Sequence, residues 1–344
     1  MKVLDMHCDT VSELLEKRRR GQEAGLLENS GHLDLKRMKE SGYLLQNFAL
    51  FVENNGERDP WEEVCALYQV YTQEIEANRE LIAPVLRYGD IASNEAAGRM
   101  SAMLTVEEGG VCKGEIARLH RLYEMGVRML TLTWNFPNEL GHPNLNLPAA
   151  KIRQASGEKP EQFLFVPDTE HGLTKRGREF AEEMQRLGMI VDVSHLSDQG
   201  FYDVLECTGK PFVASHSNAR TVCGCVRNLT DDMLRKLGER GGCTGLNYCV
   251  DFLLENAGSS SAAPDAAAIL EAVVKHAVHI TSVGGIESLG LGSDFDGIET
   301  NPALPGAESM PVLWEALHRA GFTQSQLDKI FRENVMRVYR DTLA

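Results

Sequence analysis

Two Ser-His pairs, Ser194-His195 and Ser215-His216, close two short valine-rich runs, MIVDVSH and PFVASH, with a polar helical pattern from Leu196 to Lys210 between them. Strand, helical crossover and strand make a βαβ unit, so the two runs should lie parallel and side by side. Their imidazoles then stand at the same end of neighbouring strands, within reach of one ion. A third candidate sits in KVLDMHCD at the start of the chain, where His7 and Asp9 are two residues apart. Positions two apart face the same way in a strand, so imidazole and carboxylate can share a cation while Cys8 points elsewhere. The run SAMLTVEE ends in two carboxylates followed by Gly109-Gly110, a pair that lets the backbone turn sharply. Either Glu107 or Glu108 could point into a site; alternation does not decide between them while the strand end is unfixed. Asp294, in LGLGSDFDG, completes the set.

These residues need elements to position them. Eight short apolar runs read as strands: Lys2 to Asp9, Tyr43 to Val52, Ser101 to Glu108, Arg128 to Trp134, Met189 to His195, Pro211 to His216, Cys243 to Tyr248 and Leu289 to Asp294. Most are separated by helical patterns, such as LTKRGREFAEEMQRL, which starts near Thr174 and stops at Gly188. Alternation of this kind fits a (β/α)8 TIM barrel, as one domain over residues 1–344. An open doubly wound sheet fits less well, because no GxGxxG follows an early strand. In a barrel, all the candidates fall at the C-terminal strand ends, the face that builds active sites. Burying so many titratable groups at one rim is costly without counter-charge, and divalent cations remove the conflict. From Asn135 to about Gly172 regularity is lost. A segment of that length is expected to be functional, here as a partial lid over the same face. His142 and His171 within it read as surface histidines, and the basic run KRRR near Arg20 as a solvated helix end.

Hydrophobic residues make up 43% of the chain and charged residues 25%, ordinary values for a globular protein. A formal net charge of −15 argues against a phosphate backbone or anionic membrane as partner. The opening MKVLDMHCDT reaches Asp5 too soon for a signal peptide, and the window Ala262 to Ile280 is broken by charges. The eight cysteines follow no CxxC spacing and read as mostly reduced thiols, which places the protein in the cytoplasm.

Two ions bridged by a carboxylate account for the constellation. Histidine-rich sites suit zinc over calcium or magnesium, and ions roughly 3.5–4 Å apart can hold a hydroxide and polarise a carbonyl. Asp294 is then free as general base toward water and proton donor to a leaving amine, or else serves as a further ligand. Asp296 closes a turn with Gly297. Arg227, after the sixth strand, could clamp a substrate carboxylate.

The stretches HCD, EGG, LTLTWN, GLTKRGREFAEEMQRLGMIVDVSH, SHSNAR, RNLTDD and GLGSDFDG resemble the membrane dipeptidase (renal dipeptidase) family of zinc peptidases, in order and over nearly the whole chain. The resemblance implies a (β/α)8 TIM barrel of the metal-dependent hydrolase type, two Zn2+ per chain, and hydrolysis of small dipeptides, including those with a C-terminal D-residue. It makes His7, Asp9 and Glu108 ligands of one zinc and Glu108, His195 and His216 ligands of the other. It selects Glu108 because the family's carboxylate directly precedes the glycine pair, and it implies Asp294 as acid/base and Arg227 as carboxylate anchor. Where some members carry a histidine after LTLT, this chain has Trp134, whose indole N–H can donate to substrate but carries no charge. The expected partner is a small dipeptide, with no nucleic acid and no membrane, and a homodimer is admitted. Two rivals are another amidohydrolase-type reaction, on an N-acyl-D-amino acid or a lactone, and a non-catalytic metal- or ligand-binding protein. The first differs over a free amino group in the substrate; the second predicts a lost ligand or a lost Asp294.

Overall fold

The computed structural model describes residues 1–155, 157, 166–255 and 265–343. Among them nine strands run parallel: β1 (Val3–Asp5), β2 (Tyr43–Phe51), β3 (Ile82–Pro84), β4 (Met100–Glu107), β5 (Val127–Thr131), β6 (Ile190–Asp192), β7 (Val213–Ala214), β8 (Cys243–Leu246) and β9 (Leu289–Leu291). Eight of them close a barrel. β1 pairs with β2 and β9, the order continues from β9 down to β4, and β2 pairs with β4 from Leu45↔Ser101 to Phe51↔Glu107. With helices around it, this is the expected (β/α)8 TIM barrel. The expectation missed β3, which pairs only with β4. It has three residues and ends in Pro84, which cannot donate to a further strand, so it sits at an edge and leaves little pattern to read.

Two apolar layers hold the barrel. Leu45, Met103, Met129, Ile190, Val213 and Cys243 fill its interior. Beneath them Val335, Val338 and Tyr339 of the helix Asn334–Thr342 join the same cluster. The alternate positions, such as Ala102, Leu104 and Val106 of β4, face outward into the layer shared with the helices. Period two therefore separates interior from exterior on β4, and it puts Met103, Thr105 and Glu107 on one side. Each fully buried Val, Ile or Met contributes roughly 1.5–3 kcal/mol relative to exposure.

The helix Ala266–Gly284 is long and apolar enough, by length and composition, to cross a membrane. Its buried residues are Ile269, Ala272, Val273, His276, Ala277 and Ile280, one face at helical spacing, laid against the rest of the protein. The segment after β5 is less irregular than expected, since it contains the helix Leu147–Ala155. Residues 156 and 158–165 of that segment, and the Gly258–Ala263 loop, lie outside the described residues.

Candidate metal centre

Strand ends of the barrel bring five of the expected residues together. His7 Nε2 lies 3.3 Å from Asp9 Oδ2 and 3.8 Å from Asp294 Oδ1. His195 Nε2 and His216 Nε2 face one another at 3.0 Å. All five residues are at least nine-tenths buried.

The carboxylate between these groups is Glu107, and the expectation of Glu108 is corrected. Glu107 Oε2 is 3.3 Å from His7 Nε2, while its Oε1 is 2.9 Å from His195 Nε2 and 3.4 Å from His216 Nε2. Glu108 follows the last residue of β4 with φ +98°, so strand alternation has already ended there. Its side chain caps the short 3-10 turn Gly109–Cys112, accepting from the Gly110 N–H at 2.7 Å. It also accepts from Trp134 N–H at 2.8 Å and Asn138 Nδ2 at 2.6 Å, which uses its oxygens away from the cluster. Burial pushes its carboxyl up to about 7 against these hydrogen bonds. The interior set Met103, Thr105, Glu107 was the signal that could have separated the two glutamates.

Hydrogen bonds fix which ring nitrogens point inward. Ser215 Oγ donates its single proton to Asp192 Oδ2 at 2.6 Å, so toward His216 Nδ1 at 2.7 Å it accepts. The proton of His216 is therefore on Nδ1 and the Nε2 lone pair faces the cluster. Asp192 is saturated by the Ser194 and Ser215 N–H groups and by Thr131 Oγ1. Asn135 Oδ1 accepts from His195 Nδ1 at 2.9 Å, leaving the His195 Nε2 lone pair inward as well. Sequence reading did not find Asp192, Ser215 or Asn135 as orienting groups.

Two imidazole lone pairs 3.0 Å apart repel unless a cation or proton lies between them. Asp9 Oδ1 and Glu107 Oε1 are also buried with no hydrogen-bond partner among the described residues. Burial lowers His195 to about 4, with Arg227 adding to it, and lowers His216 well below the imidazole range, with His7 adding to it. Burial works against a charged His7 too, but Glu107 and Asp9 outweigh it and hold its pKa well above the usual value. Asp9 is pushed up to about 7 by burial, and Asp294 is raised by burial with Glu107 adding to it. Such a donor set fits divalent metal: His7, Glu107 and His216 form one group with mutually close ligand atoms, and His7, Asp9 and Asp294 another.

Residues 1–344 match the family described as membrane dipeptidase, peptidase family M19. The chain belongs to that family. An uncharacterised dipeptidase of Schizosaccharomyces pombe is 31% identical over 99% of this chain and 80% of its own length. A metallopeptidase solved as dipeptidase AC, of family M19, shares 28% identity and a TM-score of 0.86 over 100% of this chain and 99% of its own. A metallopeptidase from Rhodobacter sphaeroides, liganded with a phosphinate mimic of the dipeptide L-Ala-D-Ala, shares 27% identity and a TM-score of 0.86 over 99% of both chains. This M19 protein is thus a metallopeptidase-type hydrolase, and the family implies a metal cofactor.

Asp294 closes the cluster, and the other expected residues surround it. Asp294 has φ +66°, and its Oδ2 accepts from Asn247 Nδ2 at 2.8 Å. Arg227 is buried, reaches the His216 carbonyl and Ser217 Oγ at 3.4 Å, and lies 5.4 Å over the Phe252 ring. Its Nε has no partner among the described residues. Trp134 stands 6.2 Å from the His195 ring and packs edge-on against Phe51 at 4.8 Å. Asp296 lies in a turn with Gly297, as expected, and its carboxylate accepts from Thr10 Oγ1 and the His32 N–H, both at 2.6 Å. Gly297 beside it lies against the Asp9 carboxylate, where a Cβ would collide. His171 is exposed, while His142 is half-buried against it, with rings 5.1 Å apart. A cavity of about 490 Å³ opens onto the cluster, lined by Asp9, Glu107, His195 and Asp294 at its floor and by Trp134 and Phe252 on its walls.

Proposed function

We propose that this M19 protein is a dipeptidase carrying two zinc ions, acting on small dipeptides including those with a C-terminal D-residue. The observation that carries the two-ion reading is Glu107, one oxygen toward His7 and the other toward His195 and His216. His7, Asp9 and Glu107 would hold one ion; Glu107, His195 and His216 the other. When bound, the ions lower the pKa of water and polarise the scissile carbonyl.

The protein's own groups do the rest. Asn247 pins Asp294 Oδ2 and leaves Oδ1 toward the cluster, 3.8 Å from His7 Nε2. There Asp294 takes a proton from the attacking water and returns it to the leaving amine. Its pKa, raised by burial, suits both halves of that task. Arg227, desolvated and short of acceptors, supplies a guanidinium for the substrate carboxylate. Trp134 and Asn135, the latter hydrogen-bonded to His195, line the cavity and take the place of water there. The D-residue reading is supported by the L-Ala-D-Ala mimic bound to the Rhodobacter relative. Eight free thiols support a reducing compartment, which we take to be the cytoplasm.

Metal analysis of the purified protein should find close to two zincs per chain. Asp294→Asn should keep them while turnover falls roughly 10²–10⁴-fold; a fully active variant, or a protein that binds no metal and gains no activity with zinc, would overturn the reading.

A further inference from the structure

The cavity above the cluster is far more acidic than two metal ions require. Asp9, Glu107 and Asp294 lie at its floor, and Glu13, Glu16, Asp296 and Glu299 line its sides. Among its described lining residues there is no lysine or arginine. Seven carboxylates against two divalent cations leave three formal negative charges. Asp9 Oδ1, buried and unpartnered, belongs to the same surface.

The rim carboxylates are not equally engaged. Asp296 is consumed by Thr10 and His32. Glu13 pairs with Lys17 at 3.0 Å, and Glu16 is paired with Arg19 and Arg58. Glu299 is exposed and forms no ion pair among the described residues. These residues have a common origin in the fold. Glu13 and Glu16 are on the helix Thr10–Arg19 after β1, and Glu299 follows β9, the strand beside β1. Arg227 follows β7, reaching the cavity wall through Phe252. The described lining itself is anionic, and the one guanidinium the site uses stands behind the Phe252 wall. Phe51 and Trp134, edge to face beside Glu16, add an apolar and π-rich wall.

We propose that Glu299, with Glu13 and Glu16, selects dipeptides whose N-terminal residue carries a cationic side chain, lysine or arginine. The inference rests on the dipeptidase reading and adds the substrate class. With the substrate carboxylate toward Arg227, the N-terminal residue extends toward β1 and β9. Its aliphatic stem lies on Phe51 and Trp134 and its charge meets the carboxylates. Long-range attraction toward this anionic rim, where Glu299 has no ion-pair partner among the described residues, also raises the encounter rate for a cationic substrate.

The test uses the zinc-loaded full-length enzyme and the series Lys-Ala, Arg-Ala, Met-Ala and Glu-Ala. Methionine matches the length of the lysine stem without its charge. Lys-Ala and Arg-Ala should exceed Met-Ala in kcat/KM by about two- to fivefold, with Glu-Ala lowest, and the advantage should shrink as salt is raised. Glu299→Gln should reduce the Lys-Ala to Met-Ala ratio toward one, and Glu299→Lys should reverse the order. Cleavage of Met-Ala as fast as Lys-Ala, or a ratio unmoved by Glu299→Lys, overturns the charge selection while leaving the dipeptidase reading intact. Cleavage of no dipeptide at all overturns that reading and this inference with it.

Discussion

The two halves of the cluster are built differently. On the β6–β7 side, His195 and His216 each have the outer ring nitrogen tied down, by Asn135 and by the Ser215–Asp192 relay. On the β1 side, His7 Nδ1 is buried with no partner among the described residues, and Asp9 Oδ1 has none either. His7 is held by its packing, with its ring 3.9 Å from that of His216, and by the carboxylates it faces. Hydrogen bonds behind a ligand fix its tautomer and direction before any ion arrives. One half is therefore preorganised, and the other is organised by what it binds. Glu107 joins them, and the comparison can be broken most severely there. Glu107→Gln should remove metal from both halves and reduce kcat/KM by about 10³-fold or more. Glu108→Gln, which keeps one acceptor oxygen for Gly110 and gives up the one for Trp134, should retain both metals and most of the activity. Metal analysis and kinetics on the pair decide the matter; the reverse pattern would restore Glu108 as the bridge.

A second difference concerns neutral imidazoles on the preorganised side. His276, on the helix behind the loop that follows β7, accepts from the Ala219 N–H at 3.1 Å and donates to the Leu253 carbonyl at 3.1 Å. Burial lowers its pKa to about 4. An unfolded chain binds a proton at this histidine below pH ~6.5, and the native one does not until about 4. Its contribution is therefore complete above pH ~6.5 and is lost as pH falls toward 4, by about 3 kcal/mol in total. Compared with His276→Gln, the wild type should lose thermal stability more steeply between those limits. A histidine nitrogen spectrum should show His276 still neutral at pH ~5. Equal slopes, or a protonated His276 at that pH, would contradict its role in holding the loop that carries Arg227.

The eight barrel strands and the converging rim were legible in the sequence because both rest on local pattern. Valine-rich runs ending in Ser-His, and the two-residue spacing of His7 and Asp9, survive any uncertainty about where a strand stops. Glu107 against Glu108 was not decided by that pattern. The difference depends on a backbone turn at φ +98°, set by what Glu108 can cap on Gly110 and accept from Trp134. Both contacts are made only after the segment folds. The same holds for Asp192 and Asn135, ordinary polar residues in sequence that gain meaning from reaching a histidine, through Ser215 on the next strand or directly from the loop after β5. β3 was missed for lack of length. The inward ends of β4 were recoverable: counting back by twos from Glu107 reaches Thr105 and Met103, both buried, the second inside the barrel.

The finest difference between the halves is energetic, and metal titration can measure it. If the β6–β7 side is preorganised, zinc added to metal-free protein should fill it first, with the β1 side filling at higher free zinc. Ser215→Ala removes the acceptor behind His216, and Asn135→Ala the one behind His195. Each should weaken the tighter step by about 10–100-fold and shift the weaker step less, because no equivalent hydrogen bond stands behind His7. Titration against a competing chelator resolves the two steps. Were both steps to move together in either variant, the halves would be coupled through Glu107 strongly enough to act as one site, and the contrast in their hydrogen bonding would have no thermodynamic counterpart.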